Sequence, residues 1–242
     1  MDANGSIDGR LEMIDADGAV RETAEEAHSV LEQEGDTRAG FLKKAGLTGG
    51  AVIGGGAVMA ALVPGTAVAG GRPPSSFGKG DIGILNYALT LEYLEYAFYL
   101  EATKNNQATP FVDGQTKVFL DTVTGDEKAH VDFLEKALGK KAVKEPKFDF
   151  GTTTSSLDGF VATAVALENT GVKAYSGQAL NIKDPSIIKA ALSILTVEAR
   201  HASVIGLIQS GDSKGIVPDG PFDKALTAKK VLKAVDKTGF IK

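Results

Sequence analysis

The sequence has 242 residues, a hydrophobic content of 43% and a formal net charge of −5. This length is enough for one domain with a substantial core, and the hydrophobic content argues against disorder throughout. The chain has no cysteine, which excludes disulfides, thiolate-bound zinc or iron–sulfur clusters and cysteine nucleophiles. Any metal ion must therefore be held by oxygen and nitrogen ligands.

The negative charge is concentrated near the N-terminus. Residues 1–69 contain 11 acidic and 5 basic residues, whereas residues 70–242 contain 20 acidic and 21 basic residues. Proteins that bind nucleic acid usually carry a basic patch or stripe, and this near-neutral part of the chain has none. We therefore predict no nucleic-acid partner.

The N-terminal part is predicted to contain a leader and a targeting segment. Residues 1–36 are polar and acidic, which favours a disordered leader. Residues 37–69 are predicted to be an export signal or a membrane anchor. Their start, Thr37–Lys44 (TRAGFLKK), resembles a twin-arginine signal, although Ala39 stands where the second arginine would be.

An apolar stretch rich in glycine and alanine runs from Ala45 to Val63 and is followed by Ala67-Val68-Ala69, which has the small-x-small pattern of a cleavage site. Cleavage there predicts an exported protein in the periplasm, cell envelope or extracellular space. An uncleaved segment predicts a membrane anchor, because ~19 apolar residues can span a bilayer.

The rest of the chain is predicted to be helical. Residues 70–80, which include Pro73-Pro74, are predicted to be a linker. A long connection, Lys140 to Thr154, joins the second predicted helix to the third, and the other connections are shorter. The pattern predicts an all-α, ferritin-like four-helix bundle over residues 81–211 with one long crossover between helices 2 and 3. The predicted helices run from about Asp81 to Lys104, from Gln115 to Leu138, from the caps Ser155-Ser156 to about Leu180, and from the cap Asp184 to just before Gly211.

The remaining residues, 212–242, are predicted to form a C-terminal extension. It would pack a short helix, from about Pro221 to Val235, on the outside of the bundle.

Two histidines follow a glutamate by three residues, one in helix 2 (Glu127 and His130) and one in helix 4 (Glu198 and His201). At this spacing both side chains leave the same face of a helix, so both could reach one metal ion. The spacing alone is weak evidence, because His28 in the acidic leader also follows a glutamate by three residues. Both pairs in helices 2 and 4, however, share their face with apolar residues.

The other two helices repeat a second pattern. Glu92 and Glu168 lie on apolar faces, and each is followed seven residues later by a tyrosine, Tyr99 or Tyr175. The chain therefore contains a two-helix unit twice: Glu-x6-Tyr on one helix, then Glu-x-x-His on the next. Glu95 lies at the edge of the Glu92 face and could replace or support Glu92.

Four carboxylates facing one apolar interior would be unfavourable, since desolvation costs several kcal/mol per charge and like charges repel. No lysine or arginine lies on these faces to neutralise them. Two divalent cations would balance the four negative charges, and two neutral imidazoles would complete the ligand set. Carboxylate and imidazole together suit iron or manganese, so we predict two Fe or Mn ions per chain.

The segment Leu85–Tyr99 (LNYALTLEYLEYAFY) resembles the first helix of the ferritin-like di-metal carboxylate proteins, within the family that includes desiccation-related proteins. The resemblance covers about Asp81 to Gly211. It implies that Glu127 and Glu198 bridge two ions, that Glu92 with His130 completes one and Glu168 with His201 the other. It also implies that Tyr99 and Tyr175 hydrogen-bond to the carboxylates, with Glu95 as an auxiliary acid.

Two functions are compatible with such a site. The first is reaction of the ion pair with a small oxidant, peroxide or oxygen, in protection against oxidative stress. The second is a non-catalytic stress or desiccation-related protein, or one that sequesters iron. The sequence leaves open which ion is bound and whether the domain is a monomer or a homo-oligomer.

Overall fold

The structure is a computed structural model that describes residues 71–242. The predicted leader and export signal lie outside the described residues. Within them the chain forms five α-helices, with four short 3-10 helices at Ser75–Phe77, Gly139–Lys141, Ala179–Asn181 and Ser213–Gly215. The α-helices are α1 (Gly80–Ala108), α2 (Gly114–Leu138), α3 (Leu157–Gln178), α4 (Pro185–Ser210) and α5 (Ala228–Thr238).

The fold confirms the predicted all-α bundle with one long crossover. α1 packs mainly on α2, and α3 mainly on α4, so two helical hairpins face each other across the core. The crossover from Leu138 to Leu157 is the longest connection between the four bundle helices. α1 extends one turn beyond its predicted end, because its last turn is held by Asn106, whose side chain accepts hydrogen bonds from the backbone N–H groups of Phe111 and Val112.

The ends of α4 follow the sequence signals closely. The Asp184 side chain accepts a hydrogen bond from the N–H of Ser186 at 2.8 Å, and Pro185 occupies the first helical position. Gly211 ends the helix with a φ of 68°, a conformation that glycine adopts without strain. At α3 the prediction of a serine cap is wrong in detail: Ser156 holds the cap position, but its side chain makes no capping hydrogen bond and faces the Thr152 carbonyl instead.

The predicted linker is fixed against the bundle. Asn86 of α1 is 3% exposed, and its side-chain amide donates to the carbonyls of Phe77 and Lys141, both at 2.9 Å. Its carbonyl accepts from the N–H of Val143 at 2.9 Å. One buried amide therefore ties the segment before α1 and the start of the crossover to the same point, which satisfies backbone groups that would otherwise be unpaired.

The core is aromatic at one end of the bundle. Phe98 is fully buried and stacks on Phe160, with ring centroids 5.6 Å apart, and Tyr99 meets the edges of Phe119 and Phe160 at 6.0 Å. Tyr87, Tyr93 and Phe98 all lie in the buried hydrophobic clusters.

The C-terminal helix begins later and ends later than predicted. It spans Ala228–Thr238 because Thr227 caps it, accepting from the N–H of Lys230. Leu226 lies before the helix and donates its N–H to the carbonyl of Lys173 in α3. Buried Ala228, Val231 and Val235 form its inner face. The chain end then pairs with the crossover: the Lys242 N–H donates to the Lys147 carbonyl at 2.9 Å.

α4 is also the one helix among residues 71–242 that is long and apolar enough to cross a membrane, with a mean hydropathy of 1.4 over its most apolar window, of which 33% is buried. Its inner face carries Glu198 and His201 and packs against the other bundle helices. Core helices of soluble proteins share this composition, so the finding is weak evidence for a membrane span.

Gly177 allows the tail to approach α3. A Cβ atom at Gly177 would lie 1.8 Å from the Leu226 carbonyl oxygen, whereas one at Gly125 in α2 would meet nothing within 4 Å. We expect Gly177→Ala to lower the free energy of unfolding by about 1–3 kcal/mol or to release the tail, and Gly125→Ala to raise it by up to about 1 kcal/mol. Urea unfolding and hydrogen exchange over residues 226–238 measure this, and equal effects of the two substitutions would contradict it.

Candidate metal centre

Four glutamates, one from each bundle helix, meet in the middle of the core. Glu92, Glu127, Glu168 and Glu198 are all 0% exposed, and His130 and His201 are 9% and 6% exposed. The faces predicted from helical spacing explain this burial. In α2, for example, Val123, Val131 and Leu134 lie on the same side as Glu127 and are also buried.

The six side chains form two overlapping groups. One group contains Glu92, Glu127, His130 and Glu198, and the other contains Glu127, Glu168, Glu198 and His201. Within each group, one potential ligand atom per residue lies within 4.8 Å of all the others. Glu127 and Glu198 belong to both groups, so the arrangement consists of two adjoining positions with two shared carboxylates.

The two histidines face the carboxylates with the same ring atom, Nδ1. His130 Nδ1 lies 3.2 Å from Glu92, 3.1 Å from Glu127 and 3.2 Å from Glu198. His201 Nδ1 lies 3.1 Å from Glu127 and 3.4 Å from Glu168. Glu127 thus uses one oxygen toward each histidine, Oε2 for His130 and Oε1 for His201.

Several of these close polar atoms lack hydrogen bonds. The buried atoms without a partner include Oε1 of Glu127, Oε2 of Glu168, both carboxylate oxygens of Glu198 and Nδ1 of His201. Buried polar atoms are rarely left unpaired, because each costs about 1–3 kcal/mol. The residues that carry these unpaired atoms, Glu127, Glu168, Glu198 and His201, are the four members of the second group.

Each of the two tyrosines hydrogen-bonds to a glutamate on the other side of the bundle. Tyr99 of α1 donates its hydroxyl hydrogen to Oε1 of Glu168 in α3, and Tyr175 of α3 donates to Oε1 of Glu92 in α1. Each of these two glutamates therefore commits one oxygen to a tyrosine and keeps the other, Oε2, facing a histidine. The sequence predicted that the tyrosines bond to carboxylates but did not indicate this exchange between helices.

Glu95 is buried beside the cluster, at 3% exposure, but belongs to neither group. Its counterpart in the second sequence unit is Gly171, three residues after Glu168. A Cβ atom at Gly171 would lie 2.7 Å from Oε2 of Glu198 and 3.3 Å from Oε1 of Glu95. The absence of a side chain at Gly171 thus leaves the room that these two carboxylates occupy.

Sequence reasoning missed Asp126. This residue directly precedes Glu127, and its Oδ2 lies 3.1 Å from Nε2 of His201, the ring nitrogen that faces away from the cluster. The contact joins α2 to α4, and no spacing pattern within a single helix could have indicated it.

Burial and mutual repulsion change the proton affinities of the cluster. Burial raises the pKa of Glu127 to about 7, although the two histidines beside it act to lower it. Burial raises the pKa values of Glu95 and Glu198 well above the usual value, and repulsion from the neighbouring carboxylates raises them further. Burial acts to lower the pKa of His201, but the nearby carboxylates of Glu127 and Glu168 prevail and raise it to about 11.

The chemistry of the donor set fits a pair of divalent ions. Four carboxylates and two imidazoles converge, and two divalent cations would neutralise the carboxylates without help from other residues. Among residues 71–242, the only cationic partners of these four glutamates are the two histidines. The buried carboxylate and histidine groups could therefore hold a metal pair.

An apolar crevice lies one helical turn from the cluster. Tyr175 lines it, together with Ala88, Leu134, Ala191 and Ile194. Each of these four residues lies one or two helical turns from a candidate ligand on the same helix. Its empty space, including the opening to solvent, is about 450 Å³.

The raised pKa values of the buried carboxyl and histidine groups predict how the stability of the ion-free protein depends on pH. Between pH 4.5 and 7 the folded protein keeps a proton on Glu127 that the unfolded chain releases. Stability from this proton is present below pH 4.5 and lost as pH rises through 7, and Glu95, Glu198 and the histidines act in the same direction at higher pH. Each such group contributes a slope of about 1.4 kcal/mol per pH unit. We expect urea unfolding of chelator-treated protein to show falling stability from pH 5 to 8.

Glu198→Gln removes one of the titrating groups and should make that slope shallower. Added Mn²⁺ should reverse its sign, because ion binding requires deprotonated carboxylates and neutral imidazoles. Ion-free stability that rises over this pH range would contradict the assignment of the buried protons.

Comparison with known proteins agrees with the fold. The sequence model of the family described as "Ferritin-like domain" matches residues 80–210, which is more than half of the chain and coincides with α1 to α4. A search of curated proteins found no match to this sequence.

Proposed function

Because the chain belongs to the ferritin-like domain family, we propose that it binds a pair of iron or manganese ions in the bundle core and uses them to consume a small oxidant, dioxygen or peroxide. One observation carries this proposal: two groups of buried ligand atoms adjoin and share Glu127 and Glu198. A single-ion site would not need the second group.

The ligand roles follow from membership of the two groups. Glu127 and Glu198 occur in both groups and are the candidates to bridge the ions. Glu92 with His130 serves one position, and Glu168 with His201 serves the other. A combination of carboxylates and imidazoles suits iron or manganese better than calcium or magnesium, which prefer oxygen ligands alone.

When bound, a pair of divalent iron or manganese ions would supply two electrons, one from each ion, which is enough to reduce dioxygen to hydrogen peroxide or hydrogen peroxide to water. The protein supplies orientation and exclusion of water. Tyr99 and Tyr175 hold the two unshared glutamates so that the second oxygen of each faces a histidine of the cluster. The buried aliphatic and aromatic side chains around the cluster keep bulk water away, which strengthens electrostatic interactions inside it.

The apolar crevice is the proposed entry for the oxidant. Its wall is almost entirely apolar and includes Tyr175, which bonds to Glu92. Dioxygen has no hydrogen bonds to lose in such a passage, whereas hydrogen peroxide would leave its hydrogen bonds in water behind. The crevice therefore favours dioxygen over peroxide and delivers it to the side of the cluster formed by Glu92 and His130.

We further propose that the protein acts outside the cytoplasm. The support is the sequence of residues 37–69, where a twin-arginine-like start precedes an apolar stretch and a small-x-small site. If cleavage does not occur, this segment would anchor the domain to a membrane. A twin-arginine-like route suits the proposed function, since it carries proteins that are already folded with their metal.

Removing a shared carboxylate should abolish both ion positions. We expect the purified protein to contain about two iron or manganese ions per chain, and Glu127→Ala or Glu198→Ala to lose most of both ions and of oxidant consumption. Elemental analysis and an oxygen electrode measure the two quantities. Asp132→Asn is the matched control, because Asp132 lies on α2 and pairs with the exposed Lys128 away from the cluster. Full activity in either glutamate variant would refute the proposal.

Filling the crevice should slow entry without removing the ions. Ala191→Leu places a larger apolar side chain in the crevice wall, so we expect slower consumption of dioxygen, a smaller effect on peroxide and unchanged ion content. Stopped-flow measurement with each oxidant distinguishes the two. Equal rates for the variant and the original protein would show that the oxidant enters elsewhere.

A second function remains compatible with the same cluster, namely ion binding without turnover, either as a structural element of a stress or desiccation-related protein or to limit free iron. Its support is the enclosure of the cluster, whose four glutamates are 0% exposed. Bound ions without consumption of dioxygen or peroxide would favour this second function.

A further inference from the structure

We propose that the two ion positions are unequal: Asp126 makes the position formed with Glu168 and His201 the tighter one, so that it fills first. This inference rests on the proposed two-ion site and adds to it an order of loading. Asp126 acts here as a positioning residue, through the ring of His201.

The two-helix unit is repeated in the sequence, and the repeat differs at the residue before each shared glutamate. Asp126 precedes Glu127, whereas Val197 precedes Glu198. The ligand candidates themselves are matched between the two units. An acid is therefore available beside only one of the two histidines.

The structure places that acid on the outer nitrogen of His201. Oδ2 of Asp126 lies 3.1 Å from Nε2 of His201, while Nδ1 of the same ring faces Glu127 and Glu168. His130 faces the cluster with its Nδ1 in the same way. Within residues 71–242, however, the hydrogen bonds and ion pairs of His130 all use Nδ1, and none uses Nε2.

This difference changes how well each imidazole can bind an ion. A neutral imidazole carries its hydrogen on one nitrogen and a lone pair on the other. An acceptor at Nε2 keeps the hydrogen there, so that the lone pair of Nδ1 faces the cluster, and the carboxylate also makes the ring a stronger donor. Such outer contacts typically change metal affinity by about 10–100-fold.

Packing holds the ring of His201 in the same orientation. Phe119 of α2 meets it edge-on, with ring centroids 6.4 Å apart and an interplanar angle of 86°. The Asp126 side chain is 45% exposed, so its charge remains partly hydrated and costs little desolvation. His130 is also the more exposed of the two histidine side chains, at 11% against 7%.

The test is a calorimetric titration of chelator-treated protein with Co²⁺ or Mn²⁺. We expect two binding steps, and we expect Asp126→Asn to weaken the tighter step by about 10–100-fold while changing the weaker step by less than about threefold. Asp132→Asn removes the same charge from the same helix but touches neither histidine, and should change neither step.

Two further measurements separate positioning from a general charge effect. In a His201→Ala background only the position at His130 remains, and Asp126→Asn should then have no effect on affinity. In the Co²⁺-loaded protein, the imidazole hydrogen on Nε2 of His201 should give a shifted proton NMR signal that exchanges slowly with water. That signal should exchange faster in Asp126→Asn.

The outcomes distinguish this inference from the proposed function. If no ions bind, the proposed two-ion site fails. If two ions bind with equal affinity, or if Asp126→Asn weakens binding equally in the His201→Ala background, the inference fails and the two-ion site stands. A weakening by Asp132→Asn as large as that by Asp126→Asn would also overturn it.

Discussion

The structure depends on the convergence of four glutamates in a dry interior. Each desolvated carboxylate costs several kcal/mol, and the four repel one another. The protein offsets this cost with two histidines and two tyrosine hydroxyls, yet several carboxylate oxygens remain without a partner. A protein selected for stability alone would carry apolar side chains at these positions, because replacing buried charges by well-packed hydrophobic residues is often neutral or stabilising. The retained acids therefore indicate a role that needs negative charge, and cations are the natural partners.

The surrounding bundle explains how such a cluster can be tolerated. Contacts outside the group of acids hold the helices together: Asn86 ties the crossover to the segment before α1, and Phe98 stacks on Phe160 at one end. The aromatic packing at Tyr99 leaves little room, whereas the Tyr175 end adjoins the apolar crevice. The two ends of the cluster thus differ in access, although the ligand candidates repeat. Rigid packing at one end and an opening at the other are what a site needs if it must both hold ions and admit a small molecule.

The repeat in the sequence produces an approximate symmetry, and the departures from it carry the functional detail. Tyr99 of α1 hydrogen-bonds to Glu168 of α3, and Tyr175 of α3 hydrogen-bonds to Glu92 of α1, so each unit contacts the other. In the second repeat, Gly171 occupies the position of Glu95, and Val197 occupies the position of Asp126. Each departure places an extra acid on one side of the cluster only. The proposed difference between the ion positions follows from the second of these.

The sequence by itself determined the helical pattern, the long crossover and the buried face of each helix, because spacing along a helix decides which side chains share a face. It also supplied the six residues that the fold brings into two groups, since the repeated motifs lie on those faces. Only the tertiary structure decided contacts between helices. These include the hydrogen bonds of Tyr99 and Tyr175 to glutamates of the opposite helix, the Asp126–His201 hydrogen bond, the position of Glu95 outside both groups and the packing of the tail at Gly177. Such contacts depend on the rotation and height of one helix relative to another, which no periodicity within a single helix specifies.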